Sequence, residues 1–179
     1  GIINFTDKYK QNMRIISYNV NGIRAAIKKG LLDWLKTNPA DVVCLQETKA
    51  TSEDIDVAAI EQLGYSHHWF SAEKKGYSGV AVLTKIKPTA VKNGHGFEQS
   101  DFEGRVIELQ FGDVKLINAY FPSGTSGDER QTYKYQWLDE LYGYLEKLKK
   151  KNPKIILCGD YNIAHQEIDI HDPKGNKKS

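Results

Sequence analysis

The stretch Asp41-Val-Val-Cys-Leu-Gln-Glu47 decides the fold. It is an apolar run too short for a helix, rich in β-branched residues, and it closes on an acid. It follows a helix candidate at Gly30–Thr37, in which Leu31, Leu32, Trp34 and Leu35 are apolar and Pro39 blocks continuation. The same order recurs near the other end of the chain. Gln131–Lys151 carries Trp137, Leu138, Leu141, Leu145 and Leu148 at helical steps, Pro153 follows, and Lys154-Ile-Ile-Leu-Cys-Gly-Asp160 reads as a strand closing on an acid. This echo, Leu31–Glu47 against Leu138–Asp160, predicts two related βαβ-like halves. Two further runs behave alike: Arg14–Val20 carries Asn19 at its end, and Val114–Phe121 carries Asn118, Ala119 and Tyr120. Four buried strands ending in acids, amides or a phenol describe a site on the edge of a sheet.

Between these halves the pattern is shorter. Thr51–Leu63 reads as one helix, with Thr51 or Ser52 as N-cap and Gly64 as its stop. His67–Ser71, Gly79–Lys85, Arg105–Phe111 and Lys115–Phe121 read as strands, the last two joined by a tight turn at Gly112-Asp113. Strands and helices mixed in this order predict an α/β (α+β) protein with sheets packed face to face and helices outside.

The bulk composition fits one globular domain. The chain has 179 residues, 40% apolar and 27% charged, with a net charge of +2. No run approaches the roughly 18 apolar residues of a membrane span. Gly1–Asn12 is polar and has no apolar core of a signal peptide. It is expected to be an N-terminal extension or cloning remnant before Met13, with residues 13–179 forming one domain portion. The lysines at 147–154 suit a solvated helix end. Cys44 and Cys158 occupy matching places in two strands and have no metal spacing, so they read as core thiols.

Several residues have the right chemistry for a phosphate-handling site. Glu47 offers a hard oxygen at a strand tip, and Mg²⁺ takes one or two carboxylates while keeping several waters. Asp160 and Asn162 lie two apart, on one side of an extended chain, where an acid and an amide can hold a water and a phosphate oxygen. Gly159 lets the backbone approach closely. Asn19 and Asn21 repeat the spacing, and Gly22-Ile23-Arg24 adds a turn and a cation. The Tyr120 hydroxyl can donate to a phosphoryl oxygen. The bland readings are a surface Glu, an Asx-turn and a core Tyr. The five histidines lack helical metal spacing.

Ser17-Tyr-Asn-Val-Asn-Gly-Ile-Arg24, Leu45-Gln-Glu-Thr-Lys49, Gly76-Tyr-Ser-Gly-Val80, Glu103-Gly-Arg-Val-Ile107, Asn118-Ala-Tyr-Phe-Pro122, Cys158-Gly-Asp-Tyr-Asn162 and the Pro173–Lys178 stretch resemble, in order, motifs of the exonuclease III family of abasic-site (AP) endonucleases. The resemblance implies a four-layer αββα sandwich. It implies a DNA repair hydrolase that cuts 5′ to abasic sites with Mg²⁺, or Mn²⁺ as a substitute, and removes 3′ blocking groups, with 3′→5′ exonuclease activity. By motif, Glu47 and Asn19 are implied at the metal. Asp160, Asn162, Tyr120 and Asn19 are implied in catalysis, and Arg24, Lys49, Tyr77, Asn176, Lys177 and Lys178 at the DNA.

The implied partner is DNA with abasic sites or 3′ blocks. No membrane and no obligate protein partner are implied. The implied location is the cytoplasm, with the nucleoid or the nucleus. Asn21 stands where some members carry an acid. Family members also continue beyond the point matching Ser179, with further strands, a sugar pocket and a Ser-Asp-His segment. The chain alone is therefore expected to be inactive or nearly so. A non-catalytic DNA-binding fragment and another phosphodiesterase on the same sandwich are the alternatives.

Overall fold

The computed structural model describes residues 2–6, 12–124, 127–151 and 154–160, with side chains from residue 13 to 159 within those ranges. Alternation along the strands builds the architecture. In strand β2 (Asn12–Asn19) and β3 (Val42–Gln46), Met13, Ile15, Val42 and Cys44 face one way, and Ile16, Val43 and Leu45 the other. Both faces of β3 are buried, which is why it reads as a continuous apolar run rather than as an alternating one.

One sheet has the order β1-β2-β3-β5-β4, with β1 at Ile2–Thr6, β4 at Ser66–Phe70 and β5 at Val80–Thr84. The other has the order β6-β7-β8-β9, at Ala90–Asn93, Val106–Phe111, Val114–Tyr120 and Ile155–Asp160. The inward faces of both sheets form one core, in which Ile15, Cys44 and Val82 meet Leu109, Leu116 and Cys158. Helices α1 (Ile23–Lys28), α2 (Leu31–Thr37) and α3 (Val57–Gln62) cover the outside of the first sheet. The long helix α5 (Asp128–Lys151) covers the second with Trp137, Leu138, Leu141 and Leu145, and Trp137 meets Phe121 edge-on at 4.8 Å. The layers are therefore αββα.

The sequence echo has a structural counterpart. β2 and β3 are parallel, with α1 and α2 between them in sequence. β8 and β9 are parallel, with α5 between them. Both crossovers deliver their strand ends to the same side. Cys44 and Cys158 meet across the core, where mutual contact and burial push the Cys44 thiol up.

Three differences from the sequence reading have local causes. Thr51–Leu63 is not one helix. Thr51 caps a single 3-10 turn at Ser52–Asp54, Ile55 is extended, and the Asp56 carboxylate caps α3 afresh by accepting from the Ala58 amide at 3.1 Å. Gly22-Ile23-Arg24 opens helix α1 rather than a plain turn, because Ile23 and Ala26 bury against the sheet. β6 and α4 (Glu98–Phe102) are short and nearly without periodicity. β1 pairs antiparallel with β2 and lies within residues 1–12. Among the described residues no helix is long and apolar enough to cross a membrane.

His95 lies under α5, ringed by Phe97, Trp137 and Tyr144, and its Nε2 pairs with Ser100 Oγ at 2.8 Å. Burial lowers its pKa, and lowers that of His68 also. The unfolded chain then takes up a proton first, near pH 6.5. Stability from these neutral imidazoles is complete above that pH and is lost as pH falls. Urea midpoints measured from pH 8 to pH 5 should therefore decline, and His95→Gln should flatten the decline.

Candidate active site

The inward faces change chemistry at the strand ends. Ile15 gives way to Ser17 and Asn19, Cys44 to Gln46, and Leu116 to Asn118 and Tyr120. A polar layer thus caps the apolar core at one edge. Gln46 and Asn118 are fully buried and bridge the sheets, with Gln46 Nε2 donating to Asn118 Oδ1 at 2.8 Å. Asn118 Nδ2 donates to the Leu45 and Ala81 carbonyls, each at 3.0 Å. Gln46 also donates to Ser17 Oγ at 3.1 Å.

The loops above this layer are knitted together by backbone bonds. Gly22 N donates to the Glu47 carbonyl at 2.8 Å, Ile23 N to Thr48 at 2.8 Å, and Lys49 N to Ser78 at 2.8 Å. Among the described residues, the non-glycine positions with left-handed backbone are Asn21 (φ 45°), Glu47 (φ 56°), Lys49 (φ 53°) and Ser78 (φ 51°), all in these loops. Such conformations cost of order 1–3 kcal/mol each and gather where side chains must be aimed.

Glu47 stands just past β3, one-fifth exposed, with Lys49 Nζ at 3.4 Å. Lys49 also donates to Asn21 Oδ1 at 2.8 Å, and Asn21 N donates to Asn19 Oδ1 at 2.9 Å. Tyr120 ends β8 beside Glu47. Burial, and then the Glu47 charge, push its phenol up to about 12, so it remains a proton donor at any physiological pH. Asp160 pairs with Tyr120 in the strand register, which places its backbone at the same edge. Gly159 precedes it because a Cβ there would run into the Ala119 carbonyl. A cleft of about 380 Å³ beside Glu47 is lined by Arg24, Lys28, Lys49 and Gly76. A larger, mostly apolar groove of about 580 Å³ runs from Asn19 along β2 to Trp34.

Asn19, Glu47, Lys49 and Tyr120 therefore share one edge, and Arg24 flanks it. Tyr77 enters from the loop before β5, its hydroxyl donating to Glu103 Oε2 at 2.5 Å. Asn162, Asn176, Lys177 and Lys178 lie outside the described residues. Sequence reasoning had not marked Lys28, nor Gln46 and Asn118 as a bridge, and had named Glu103 and Arg105 only within a motif, with no role. The signal for the last pair was present: two charges directly ahead of an apolar strand.

The donor set suits one kind of metal. Among the described residues no three acids, histidines or cysteines group together. A carboxylate with an amide nearby fits a hard ion that keeps several of its waters.

The molecule is thus an αββα sandwich with an acid–amide–phenol cluster and a cationic cleft at its parallel strand ends. Residues 16–179 match the model of the endonuclease/exonuclease/phosphatase family, and the chain belongs to that family. It is 45% identical to the exodeoxyribonuclease of Bacillus subtilis, over 93% of this chain and 65% of that protein. It is 44% identical to the DNA repair nuclease APEX1 of Danio rerio, over 94% of this chain and 54% of that protein. An AP endonuclease structure from Archaeoglobus fulgidus aligns with a TM-score of 0.74 at 34% identity, over 91% of this chain and 62% of that one. The resemblance to exonuclease III and AP endonucleases holds. The chain spans about half to two thirds of the length of these two curated relatives.

Replacing Asn118 by Leu removes three buried hydrogen bonds that tie the sheets together, to Gln46 and to the Leu45 and Ala81 carbonyls. Urea unfolding of Asn118→Leu should show a loss of about 3 kcal/mol or more.

Proposed function

We propose that this chain supplies the metal- and phosphate-handling part of a DNA repair phosphodiesterase that cuts 5′ to abasic sites. The observation carrying this reading is the meeting of Glu47 and Tyr120 at the junction of the two sheets, beside the cleft formed by Arg24, Lys28 and Lys49. The names of its relatives, an exodeoxyribonuclease and a DNA repair nuclease, support the substrate class.

Glu47 and Asn19 would hold Mg²⁺, with Lys49 neutralising Glu47 when the ion is away. The ion, when bound, adds positive charge against a phosphate oxygen. Tyr120, kept protonated, donates to an oxygen of the scissile phosphate as charge develops there. Asp160, oriented by Asn162, takes the proton of the attacking water. Arg24, Lys28 and Lys49 grip flanking phosphates as point charges, a salt-sensitive and sequence-blind attraction. Tyr77 packs on the duplex, and Asn176, Lys177 and Lys178 extend the contact. An abasic nucleotide is favoured because no base has to be unstacked to extrude it. The protein would work where the cell keeps its DNA, in the cytoplasm and nucleoid or in a nucleus.

The chain incubated with a Mg²⁺-supplemented abasic duplex, scored for both cleavage and gel shift, tests the reading. A shift without cleavage gives a binding fragment that needs the rest of the protein, and neither outcome sinks the assignment except the absence of both. In the protein extended to the length of its relatives, Glu47→Gln should raise the Mg²⁺ concentration for half-maximal rate at least tenfold. An unchanged titration removes Glu47 from the metal. Tyr120→Phe should lower kcat about 100-fold with a smaller change in KM. Because burial raises its phenol above the ordinary range, the wild-type rate should show no loss of this donor across the physiological pH range.

A further inference from the structure

The motif Glu103-Gly104-Arg105 has no part in the mechanism above, yet it is buried directly behind two of its residues. Glu103 is 3% exposed and Arg105 1% exposed. Arg105 uses both guanidinium amino groups. One donates to the Tyr120 carbonyl at 3.1 Å, and the other to Glu103 at 3.0 Å and to the Tyr77 hydroxyl at 3.1 Å. Its plane also lies 4.9 Å from the centre of the Tyr120 ring. Glu103 accepts from the Tyr77 hydroxyl. Arg130, from the first turn of α5, reaches the same hydroxyl at 3.4 Å. Gly104 is needed because a Cβ there would stand 2.6 Å from the Ser71 carbonyl carbon, against the start of the loop that carries Tyr77.

A buried ion pair adds little net stability, because desolvation cancels most of the attraction. What it does supply is direction. The guanidinium is a rigid fork, and its two arms hold the Tyr120 carbonyl at the end of β8 and the Tyr77 hydroxyl on the loop before β5. Burial alone would raise the Glu103 carboxyl, but the Arg105 charge and the phenol contacts outweigh it and hold the group near 2. The fork is therefore charged under all working conditions.

We infer that Glu103 and Arg105 are positioning residues that lock Tyr77 to the Tyr120 end of β8, so that the duplex contact and the phosphate contact move as one unit. The inference rests on the DNA reading for its consequence, but not for its geometry. Glu103 acts on the duplex contact through the Tyr77 hydroxyl, so its effect on DNA must shrink when that hydroxyl is absent, leaving only what passes through Arg105.

The test is a double-mutant cycle on the chain, with a duplex carrying a tetrahydrofuran abasic analogue, in EDTA, read by fluorescence anisotropy. Glu103→Gln should weaken binding about tenfold in the wild-type background, the effect of misdirecting one charged hydrogen bond. It should cost clearly less in Tyr77→Phe. Equal losses in both backgrounds would mean a merely structural role and overturn the inference. Hydrogen exchange gives a second reading without DNA. Amides of residues 73–79 should exchange faster in Glu103→Gln and in Tyr77→Phe, with exchange in β5 unchanged. Unchanged loop exchange would overturn the inference even if DNA binding falls. If the wild-type chain binds no abasic duplex, the nuclease reading fails and the exchange result alone decides. If Glu103→Gln does not fold, Tyr77→Phe removes the same contact from its accessible end, and its loop exchange decides.

Discussion

Two sheets packed face to face share no strand ladder and are held mainly by side chains. An apolar core of Ile15, Cys44, Leu109 and Leu116 has no preferred direction and would tolerate a small slide of one sheet over the other. The amide bridge from Gln46 to Asn118 removes that freedom at the edge where the chemistry lies. Asn118 reaches past Gln46 to backbone carbonyls of β3 and β5, so it reads the position of the opposite sheet and not only of one side chain. Glu47 is one residue beyond this bridge and Tyr120 is two beyond it. A site whose members belong to different sheets needs such a tie, because an ångström of slippage would separate the acid from the phenol.

The same edge carries several features that cost stability. Four non-glycine residues adopt left-handed backbone there, and Glu103 and Arg105 are buried as ions. The hydroxyls of Thr48 and Ser78 are buried without a hydrogen-bond partner among the described residues. None of this would survive in a small core. It is offset by three apolar layers, one between the sheets and one under each set of helices. Stability gathered in the body of the sandwich is what allows its rim to be strained, polar and charged.

Much of this was legible in the chain because strands and helices leave different periods. The repeated order of helix, proline and apolar run pointed to two βαβ units, and both crossovers are present. The four polar strand endings at Asn19, Glu47, Tyr120 and Asp160 were visible because an acid or amide after a buried strand breaks an otherwise apolar pattern. Short elements left no such mark. α1 offered only Ile23 and Ala26 as buried positions, and β6 none. Thr51–Leu63 held two capping residues, Thr51 and Asp56, and the second restarted the helix. Periodicity is silent about which of two adjacent caps will dominate, since that depends on how each turn meets the sheet.

What the sequence determined by itself is the set of strands and helices, the class of packing, and the list of chemically able side chains. Alternation and helical spacing are properties of neighbouring residues, so they can be read without coordinates. Only the tertiary structure decided that Gln46 would meet Asn118 across 72 positions, that Glu47 would stand beside Tyr120, and that Arg105 would join the end of β8 to Tyr77 on the loop before β5. Those pairings depend on how one sheet lies over the other. That arrangement is settled by the summed packing of the whole interior, which no local window of residues contains.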